Sequence, residues 1–335
     1  MILYKYYGFN AGLAALRSQR LGFRKPDNFN DPFECTYFSN SDNETEGKIE
    51  DKIKEIKKSV DILSLTRTPL NPLMWAHYGE EHTGFVIGYD VDDEFFTSRE
   101  FNLIPVDEGD VLYTNTKTPT QITNQDVHNI YLKTVDAPFD KEELNNLSVS
   151  IRKMFLTKHA TWVYEEEVRI VKISDSFFVT SAVFQSHPFR SFNSISRLIA
   201  PQIGCNYIDG LKLYTKKQSI KEVFLGVRNP LINSNPSESQ VTDNSLKELA
   251  QNESWQVYQL SMDSSSWSLK AQETDTDMLK ISAKEGGLTS EASLGGKEAE
   301  ILAQKLLGKK LTDNDKVSVT TFNNEVHVQL NETFI

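Results

Sequence analysis

Several features that would place a protein in a membrane, outside the cell or on nucleic acid are missing from this sequence. No uninterrupted apolar run approaches the ~20 residues that a membrane-spanning helix requires. Only two cysteines occur, Cys35 and Cys205, without a CxxC pair, which is typical of a reducing compartment. Lys and Arg number 36 against 47 Asp and Glu, and the formal net charge of -11 argues against strong nonspecific binding to nucleic acid. We therefore expect a cytoplasmic protein without a membrane span.

Signatures of common enzyme classes are missing as well. The sequence has no GxxxxGK[ST] loop, no GxGxxG fingerprint and no GxSxG elbow, which argues against P-loop, Rossmann and α/β-hydrolase proteins. His77 and His82 do not have the HExxH spacing of a zinc site, so the histidines predict no metal. The opening residues, MILYKYYGFN, carry one lysine and then aromatics, and we expect a first strand there instead of a leader.

The pattern of apolar residues predicts alternating short strands and amphipathic helices. At 335 residues, 39% hydrophobic and 25% charged, the chain is long enough for one large folded domain or two ordinary ones. Helices are predicted after Asn10, after Thr45 and from Asp140 to Phe155, and residues 107 to 135 are expected to be irregular. Strands are predicted at Ile2 to Tyr7, in VDILSLT, at Gly84 to Tyr89, in SDSFFVTSAVF, LKLYT and IKEVFLG, and in a hairpin within SWQVYQLSMDSSSWSLKAQ.

A change of composition at ETDTD divides the chain into two parts. Residues 1–272 are predicted to form a main α+β domain that carries the site, with a mixed or mainly antiparallel sheet flanked by helices. Residues 273–335 are predicted to form a small C-terminal α+β appendage, with a helix from Gly296 to Leu307 and a hairpin closed near Asn323. This appendage is a candidate for binding a partner protein.

The most unusual stretch is TWVYEEEVRIV, from Thr161 to Val171, because three glutamates and an arginine interrupt a β-like run. Read as one strand, it places Glu165, Glu167 and Arg169 on one face and Glu166 on the other, with Val168 and Ile170. Two interpretations stay open. Arg169 pairs with the glutamates at the sheet surface, or the two carboxylates and the arginine form a catalytic site.

Five motifs carry a resemblance to a known family, and they occur in a fixed order along residues 1 to about 272. They are LYKYYGF, FNDPFE, LMWAHYGEEHTGFVIGYD, WVYEEEVRI and IKEVFLG. Together they resemble a bacterial family that is known only as a domain of unknown function. The resemblance implies a cytoplasmic prokaryotic protein, of a kind often encoded near mobile-element and phage-defence genes.

A second resemblance concerns chemistry. EEEVRIV is similar to the glutamate-x-glutamate strand of ADP-ribosyltransferases, which use NAD. The resemblance implies that Glu167 stabilises an oxocarbenium-like transition state, that Glu165 engages an acceptor, itself an unknown protein or nucleic acid, and that Arg169 orients both acids. It also implies that Ser64 and Thr66 of LSLT shape the NAD pocket.

The first strand departs from this second family. It offers Tyr4, Lys5 and Tyr6 where ADP-ribosyltransferases have an arginine or histidine that holds NAD, and Lys5 lacks the bidentate fork of arginine. Trp75, His77 and Tyr78 of MWAHYG complete the predicted cofactor-binding residues, either as ligand-stacking groups or as packed core side chains.

Two other functions remain open from the sequence. A metal-dependent nuclease or phosphodiesterase would bind Mg²⁺ through Asp31, Glu165 and Glu167, with Glu34 in the same cleft. A non-catalytic nucleotide or peptide sensor would use an aromatic pocket, formed by Tyr4, Tyr6, Trp75, Tyr78 and Trp162.

Overall fold

The computed structural model describes most of the first 282 residues and three later strands. The described ranges are residues 1–36, 43–99, 102–116, 123–131, 149–173, 206–208, 211–214, 216–233, 242–282, 292–294, 316–322 and 325–331. The chain divides into two compact units, Met1–Ile232 with Leu249–Met278, and Asn233–Glu248 with Leu279–Ile335. The domain boundary at residue 273 stays a prediction. No helix among the described residues has the length and apolar character needed to cross a membrane.

The helices in chain order are α1 Phe9–Ser18, α2 Asn43–Lys58, α3 Pro72–Tyr78, α4 Glu94–Thr97, α5 Asn124–Tyr131, α6 at residues 149–155, α7 Pro230–Asn233 and α8 Ser245–Asn252. Short 3-10 helices lie at Pro26–Asn28, Val106–Glu108, Ala160–Glu165 and Thr276–Leu279. The strands of the first unit are β1 Ile2–Tyr7, β2 Gly22–Arg24, β3 Val60–Thr66, β4 Phe85–Asp90, β5 Leu112–Thr114, β6 Thr157–His159, β7 Glu167–Ile173, β8 Asn206–Ile208, β9 Leu211–Leu213, β10 Ile220–Leu225, β12 Gln256–Met262 and β13 Leu269–Thr274. The second unit contains β11 Thr242–Asp243, β14 Ile281–Ser282, β15 Ala292–Leu294, β16 Lys316–Phe322 and β17 Glu325–Asn331.

A mixed, mostly antiparallel sheet of ten strands organises the first unit, which confirms the predicted α+β class. Its order is β13-β12-β10-β4-β1-β3-β2-β9-β8, with β7 paired to β3. The pair β10–β12 is parallel and the other pairs of this sheet are antiparallel. The short strands β5 and β6 form a separate parallel pair in which Tyr113 lies opposite Lys158. This pair lies next to β7 of the large sheet. In the second unit β15, β16 and β17 form an antiparallel sheet, so the hairpin predicted there is confirmed.

The strand β7 is buried along its whole length, although one of the two interpretations of the sequence places its ion pairs at the sheet surface. All seven residues of EVRIVKI are buried, including Glu167, Arg169 and Lys172. It pairs with β3 from Val60↔Ile173 to Thr66↔Glu167, so Ser64 lies directly opposite Arg169. Buried charged side chains in such a strand need compensating polar contacts, because an unpaired buried charge is costly. Lys172 has them in the Phe95 carbonyl and the Asn102 side-chain oxygen, each at 2.7 Å.

The predicted strand from Thr161 to Val171 is wrong in its first half. Residues Ala160–Glu165 form a 3-10 helix, and Glu166 follows it in the left-handed region at φ 43° and ψ 48°. Glu166 is therefore exposed outside the strand and does not share a face with Val168 and Ile170. Side chains from the end of β3 and the start of α3 stabilise this helix, since Thr66 donates to the Glu165 carbonyl at 2.6 Å and Asn71 donates to the Tyr164 carbonyl at 2.8 Å.

Other boundaries differ in smaller ways. Asn10 lies inside α1, whose preceding residue is Gly8, and Thr45 lies inside α2. Within residues 107 to 135, which the sequence predicts to be irregular, the described part contains the end of the Val106–Glu108 helix, β5 and α5. The predicted strand SDSFFVTSAVF, the helix from Gly296 to Leu307 and the start of the helix from Asp140 lie outside the described residues.

Candidate functional site

Five charged side chains meet on one side of β7, and we call them the ion-pair cluster. They come from four places: Glu34 from the FNDPFE loop, Lys158 from β6, Glu165 from the end of the 3-10 helix, and Glu167 and Arg169 from β7. Each is at most 6% exposed to solvent. Glu165 and Glu167 thus come together as the sequence predicts, but through a turn at Glu166 and not through strand alternation.

Lys158 is the centre of this cluster. Its ammonium lies 2.5 Å from Glu165 Oε2, 3.1 Å from Glu167 Oε2 and 3.2 Å from Glu34 Oε1. The same ammonium lies 5.1 Å from the centre of the Trp162 ring, within cation–π range. One lysine therefore bridges three carboxylates and contacts an aromatic face.

Arg169 closes the other side of the cluster. Its guanidinium forms a two-pronged ion pair with Glu167, at 2.7 Å from Nε to Oε1 and 2.9 Å from a terminal nitrogen to Oε2. It also pairs with Glu34 and donates to the Phe155 carbonyl at 2.8 Å. The planar fork of arginine suits this bidentate contact, which fixes the carboxylate in orientation as well as in charge.

Burial and neighbouring charges shift the pKa values of Glu165 and Glu167 in opposite directions. Burial raises the pKa of the Glu165 carboxyl, and the nearby Glu167 adds to this while Lys158 opposes it. Burial also favours the neutral form of Glu167, but the charges of Arg169 and Lys158 outweigh it and lower the pKa of Glu167. Glu167 is therefore held as a carboxylate, whereas Glu165 takes up a proton more readily, the kind of split that acid–base chemistry uses.

A hydrogen-bond chain connects the cluster to α3 and to the FNDPFE loop. Tyr78 donates to Glu165 Oε1 at 2.7 Å, and Asn30 donates to the Tyr78 hydroxyl at 3.2 Å. In the same loop, Asp31 accepts a hydrogen bond from the Trp162 indole at 3.0 Å. Tyr78 and Asp31 thus lie beside the predicted catalytic acids.

Three strands bring the predicted pocket residues Lys5 and Ser64 together with the predicted catalytic residue Glu167. β1 pairs with β3 at Tyr4↔Thr66, and β3 pairs with β7. Lys5 donates to the Ser64 carbonyl at 3.1 Å, and the Ser64 side chain hydrogen-bonds to Glu167. Burial lowers the pKa of Lys5 to about 8, with Arg24 adding to the shift and Glu167 opposing it.

Four other predicted pocket residues, Tyr4, Tyr6, Trp75 and His77, do not converge on the cluster, whereas Thr66 and Tyr78 both contact Glu165. Tyr4 donates to Glu222 at 2.8 Å, Tyr6 to the Thr68 carbonyl at 3.0 Å, and Trp75 is fully buried. Tyr6 and Trp75 belong to an apolar core with Met74, Val86 and Phe224. His77 is exposed at the surface and hydrogen-bonds to the Tyr164 hydroxyl at 3.0 Å.

A cavity of about 570 Å³ adjoins the cluster, large enough for a small-molecule ligand. Of the cluster, only Lys158 and Glu34 line it. Glu165, Glu167 and Arg169 lie behind Lys158 and do not reach the cavity wall in this conformation. The wall is formed by three segments, residues 30–36, Thr114 to Thr116, and residues 153–162 in part.

Sequence reasoning missed Lys158, Tyr113 and the cavity. Tyr113 accepts a hydrogen bond from the Glu167 backbone N–H at 2.9 Å. Both residues occupy three-residue strands that pair only with each other, and such short strands leave no alternation in the sequence. One signal could have indicated Lys158. The predicted site has more carboxylates than Arg169 alone can pair with, and a buried carboxylate requires a cation.

The predicted Mg²⁺ ligands Asp31, Glu165 and Glu167 contact other side chains of the protein. Lys158 contacts Glu165 and Glu167, and Asp31 accepts from Trp162. Within the described ranges, no group of three or more His, Cys, Asp or Glu side chains is arranged to hold a metal ion. The lysine ammonium occupies the place between the carboxylates.

The fold and the site define an α+β protein with a buried ion-pair cluster beside a ligand-sized cavity. Residues 74–170 match the model of a family described as "Protein of unknown function (DUF2971)". This confirms the predicted resemblance to an uncharacterised family over that range, which includes most of α3, β6 and the Glu165-to-Arg169 segment. No curated protein shows a significant match to the chain. No solved structure matches it significantly.

Proposed function

We propose that the protein is an ADP-ribosyltransferase-like enzyme or toxin that breaks the bond between nicotinamide and ribose in NAD and transfers ADP-ribose to an acceptor. The observation that carries the proposal is the adjacency of β1, β3 and β7, which brings Lys5, Ser64 and an ionised Glu167 into contact. These are the strands that the resemblance assigns to NAD binding and catalysis.

The two glutamates suit different parts of this reaction. As the C–N bond breaks, nicotinamide leaves with the electron pair and positive charge develops on the ribose, where the carboxylate of Glu167 stabilises it. The acceptor then forms a bond to the same ribose carbon, and Glu165 takes the proton that the acceptor loses. The raised pKa of Glu165 fits a proton acceptor, and the lowered pKa of Glu167 fits a fixed anion.

Lys158 has a specific role in this proposal. Because Lys158 separates Glu165 and Glu167 from the cavity, its side chain must leave the glutamates when the nicotinamide ribose enters. Lys158 thus controls access of the ribose to the two glutamates. Arg169 holds the carboxylate of Glu167 in the same orientation before and after Lys158 moves. The expected setting is the bacterial cytoplasm, in a phage-defence context.

One observation favours a second candidate, a non-catalytic nucleotide or peptide sensor. Both central glutamates are buried and ion-paired, while the cavity wall carries Asn30, Trp162 and several threonines. Such a wall binds a ligand through hydrogen bonds and aromatic contact without presenting Glu165 or Glu167 to it.

The test incubates the purified protein with NAD, with and without bacterial cell extract. The release of nicotinamide is measured by chromatography. Wild type is compared with Glu167→Gln and with Glu166→Gln, a matched control because Glu166 is the exposed neighbour of the cluster. Transferase activity predicts release by wild type and by Glu166→Gln, and no release by Glu167→Gln. A parallel nuclease assay with EDTA tests the metal-dependent alternative, and NAD binding without release would favour the sensor.

A further inference from the structure

The wall of the cavity has a composition that indicates its ligand. Five threonines line it, Thr36, Thr114, Thr116, Thr157 and Thr161, together with two lysines and two exposed or half-buried aromatic rings. Among the described wall residues, the formal charges of the two acids Asp31 and Glu34 and the two lysines Lys153 and Lys158 cancel. A wall of this kind has many hydroxyl groups and does not repel an anion.

The two lysines of the wall are in different situations. Lys158 is bound to three carboxylates, so its charge is neutralised inside the protein. Lys153 is half-buried in α6 and, among the residues that the structure describes, has no ion-pair partner within 4.0 Å. Burial raises the pKa of Asp126, but hydrogen bonds with Thr123 lower it, and the charge of Lys153 adds a smaller lowering. Lys153 is therefore the wall cation suited to a ligand anion.

The two aromatic rings also differ. Trp162 is half-buried, with Lys158 over its ring and Asp31 on its indole nitrogen. Phe33 follows Asp31 in the loop and is 68% exposed although it lines the cavity. Large exposed aromatic rings at a cavity are suited to stack on a planar ligand.

We infer that the cavity binds a nucleoside phosphate, with its base stacked on Phe33, its ribose among the threonines and its phosphate contacted by Lys153. The inference rests on the proposed function, because it names the residues that would hold the nucleotide part of NAD. Lys5, which the sequence places where ADP-ribosyltransferases hold NAD, contacts the Ser64 carbonyl and does not line the cavity, so the inference assigns the phosphate to Lys153.

The experiment measures binding of ADP and adenosine to the full chain by isothermal titration calorimetry. Lys153→Gln is expected to weaken ADP binding about tenfold and to leave adenosine unchanged, because only ADP carries the anion. Phe33→Leu keeps apolar bulk but removes the ring face, and it is expected to weaken both ligands about tenfold. Lys54→Gln and Leu73→Ala are matched controls, since both side chains are exposed and neither lines the cavity.

The results separate this inference from the proposed function. Failure of the wild-type protein to bind ADP, or equal losses of ADP and adenosine in Lys153→Gln, would overturn it even if nicotinamide is released. ADP binding that depends on Lys153 and Phe33, without nicotinamide release, would support it and leave the transferase proposal wrong. Near-ultraviolet circular dichroism of each variant confirms that the native packing is retained.

Discussion

Replacing Lys158 by Met tests the electrostatic account of the cluster most sharply. The Met side chain keeps most of the apolar stem, so the change removes mainly the ammonium that touches Glu34, Glu165 and Glu167. Arg169 still pairs with Glu34 and Glu167, which leaves Glu165 as the buried carboxylate without a cation. Breaking a buried ion pair from one side costs about 3–5 kcal/mol, and we expect about 3 kcal/mol at pH 8.

The loss of stability should depend on pH. The pKa of Glu165 is already raised by burial, and it rises further once Lys158 is gone. A carboxyl whose pKa is higher in the folded than in the unfolded chain favours folding as the pH falls through the folded pKa. The difference between wild type and variant should therefore shrink from pH 8 to pH 5, by up to ~1.4 kcal/mol per pH unit.

Urea unfolding followed by tryptophan fluorescence measures this difference. All four tryptophans, Trp75, Trp162, Trp255 and Trp267, belong to the first unit, so the signal reports on the unit that holds the cluster. Lys54→Met is the matched control, because Lys54 is 65% exposed and lies 3.8 Å from Asp51, an arrangement that contributes at most about 0.5 kcal/mol. A Lys158→Met protein as stable as Lys54→Met at pH 8 would refute the reasoning.

Three further predictions concern neighbouring residues. Glu167→Gln should lower the free energy of unfolding by about 3 kcal/mol in urea titrations, whereas the exposed Glu166→Gln should change it by less than about 0.5 kcal/mol; equal effects would contradict the ion-pair account. Gly109→Ala should lower the thermal midpoint clearly, because an added Cβ would overlap the carbonyl oxygen of Arg169 on β7; an unchanged midpoint would show that this close approach is not required. Burial raises the pKa of the Cys35 thiol to about 12, so in a protein whose other cysteine is replaced by serine, a thiol reagent at pH 8 should label Cys35 far faster in urea than in buffer; fast native labelling would contradict its burial.

The long strands were predictable because each has a local signal. Ile2–Tyr7 and Val60–Thr66 carry β-branched and aromatic residues between turns, and the structure places β1 and β3 at those residues. The hairpin formed by β12 and β13 is set by alternation around the turn that Asp263 stabilises. These signals depend on neighbours in sequence, which is why they can be read without a structure.

The turn at Glu166 had no comparable signal. The run of charged residues from Glu165 to Arg169 fits a strand by alternation, yet Glu166 adopts a left-handed conformation and the strand starts one residue later. The contacts that decide this come from Thr66 and Asn71, about 100 residues earlier in the chain. A pattern in a single stretch of sequence does not contain them.

The site was predictable only where its residues are close in sequence. Glu165, Glu167 and Arg169 are close in sequence, and a role for Glu34 beside them followed from the FNDPFE loop. Lys158 lies in β6, which pairs with β5 and is connected to β7 by the 3-10 helix. This tertiary arrangement brings Lys158 to the site, and the local sequence does not indicate it. The aromatic residues Tyr6 and Trp75 gave a misleading signal, since aromatic side chains fill cores as often as they line pockets.

The most direct test of the proposed function is nicotinamide release from NAD by the purified protein and its Glu167→Gln and Glu166→Gln variants. The assay is run where circular dichroism shows Glu167→Gln to be folded, because that variant also loses an ion pair. The proposal predicts release by wild type and Glu166→Gln that Glu167→Gln abolishes. No release by wild type, with or without cell extract, or equal release by all three proteins, would contradict it.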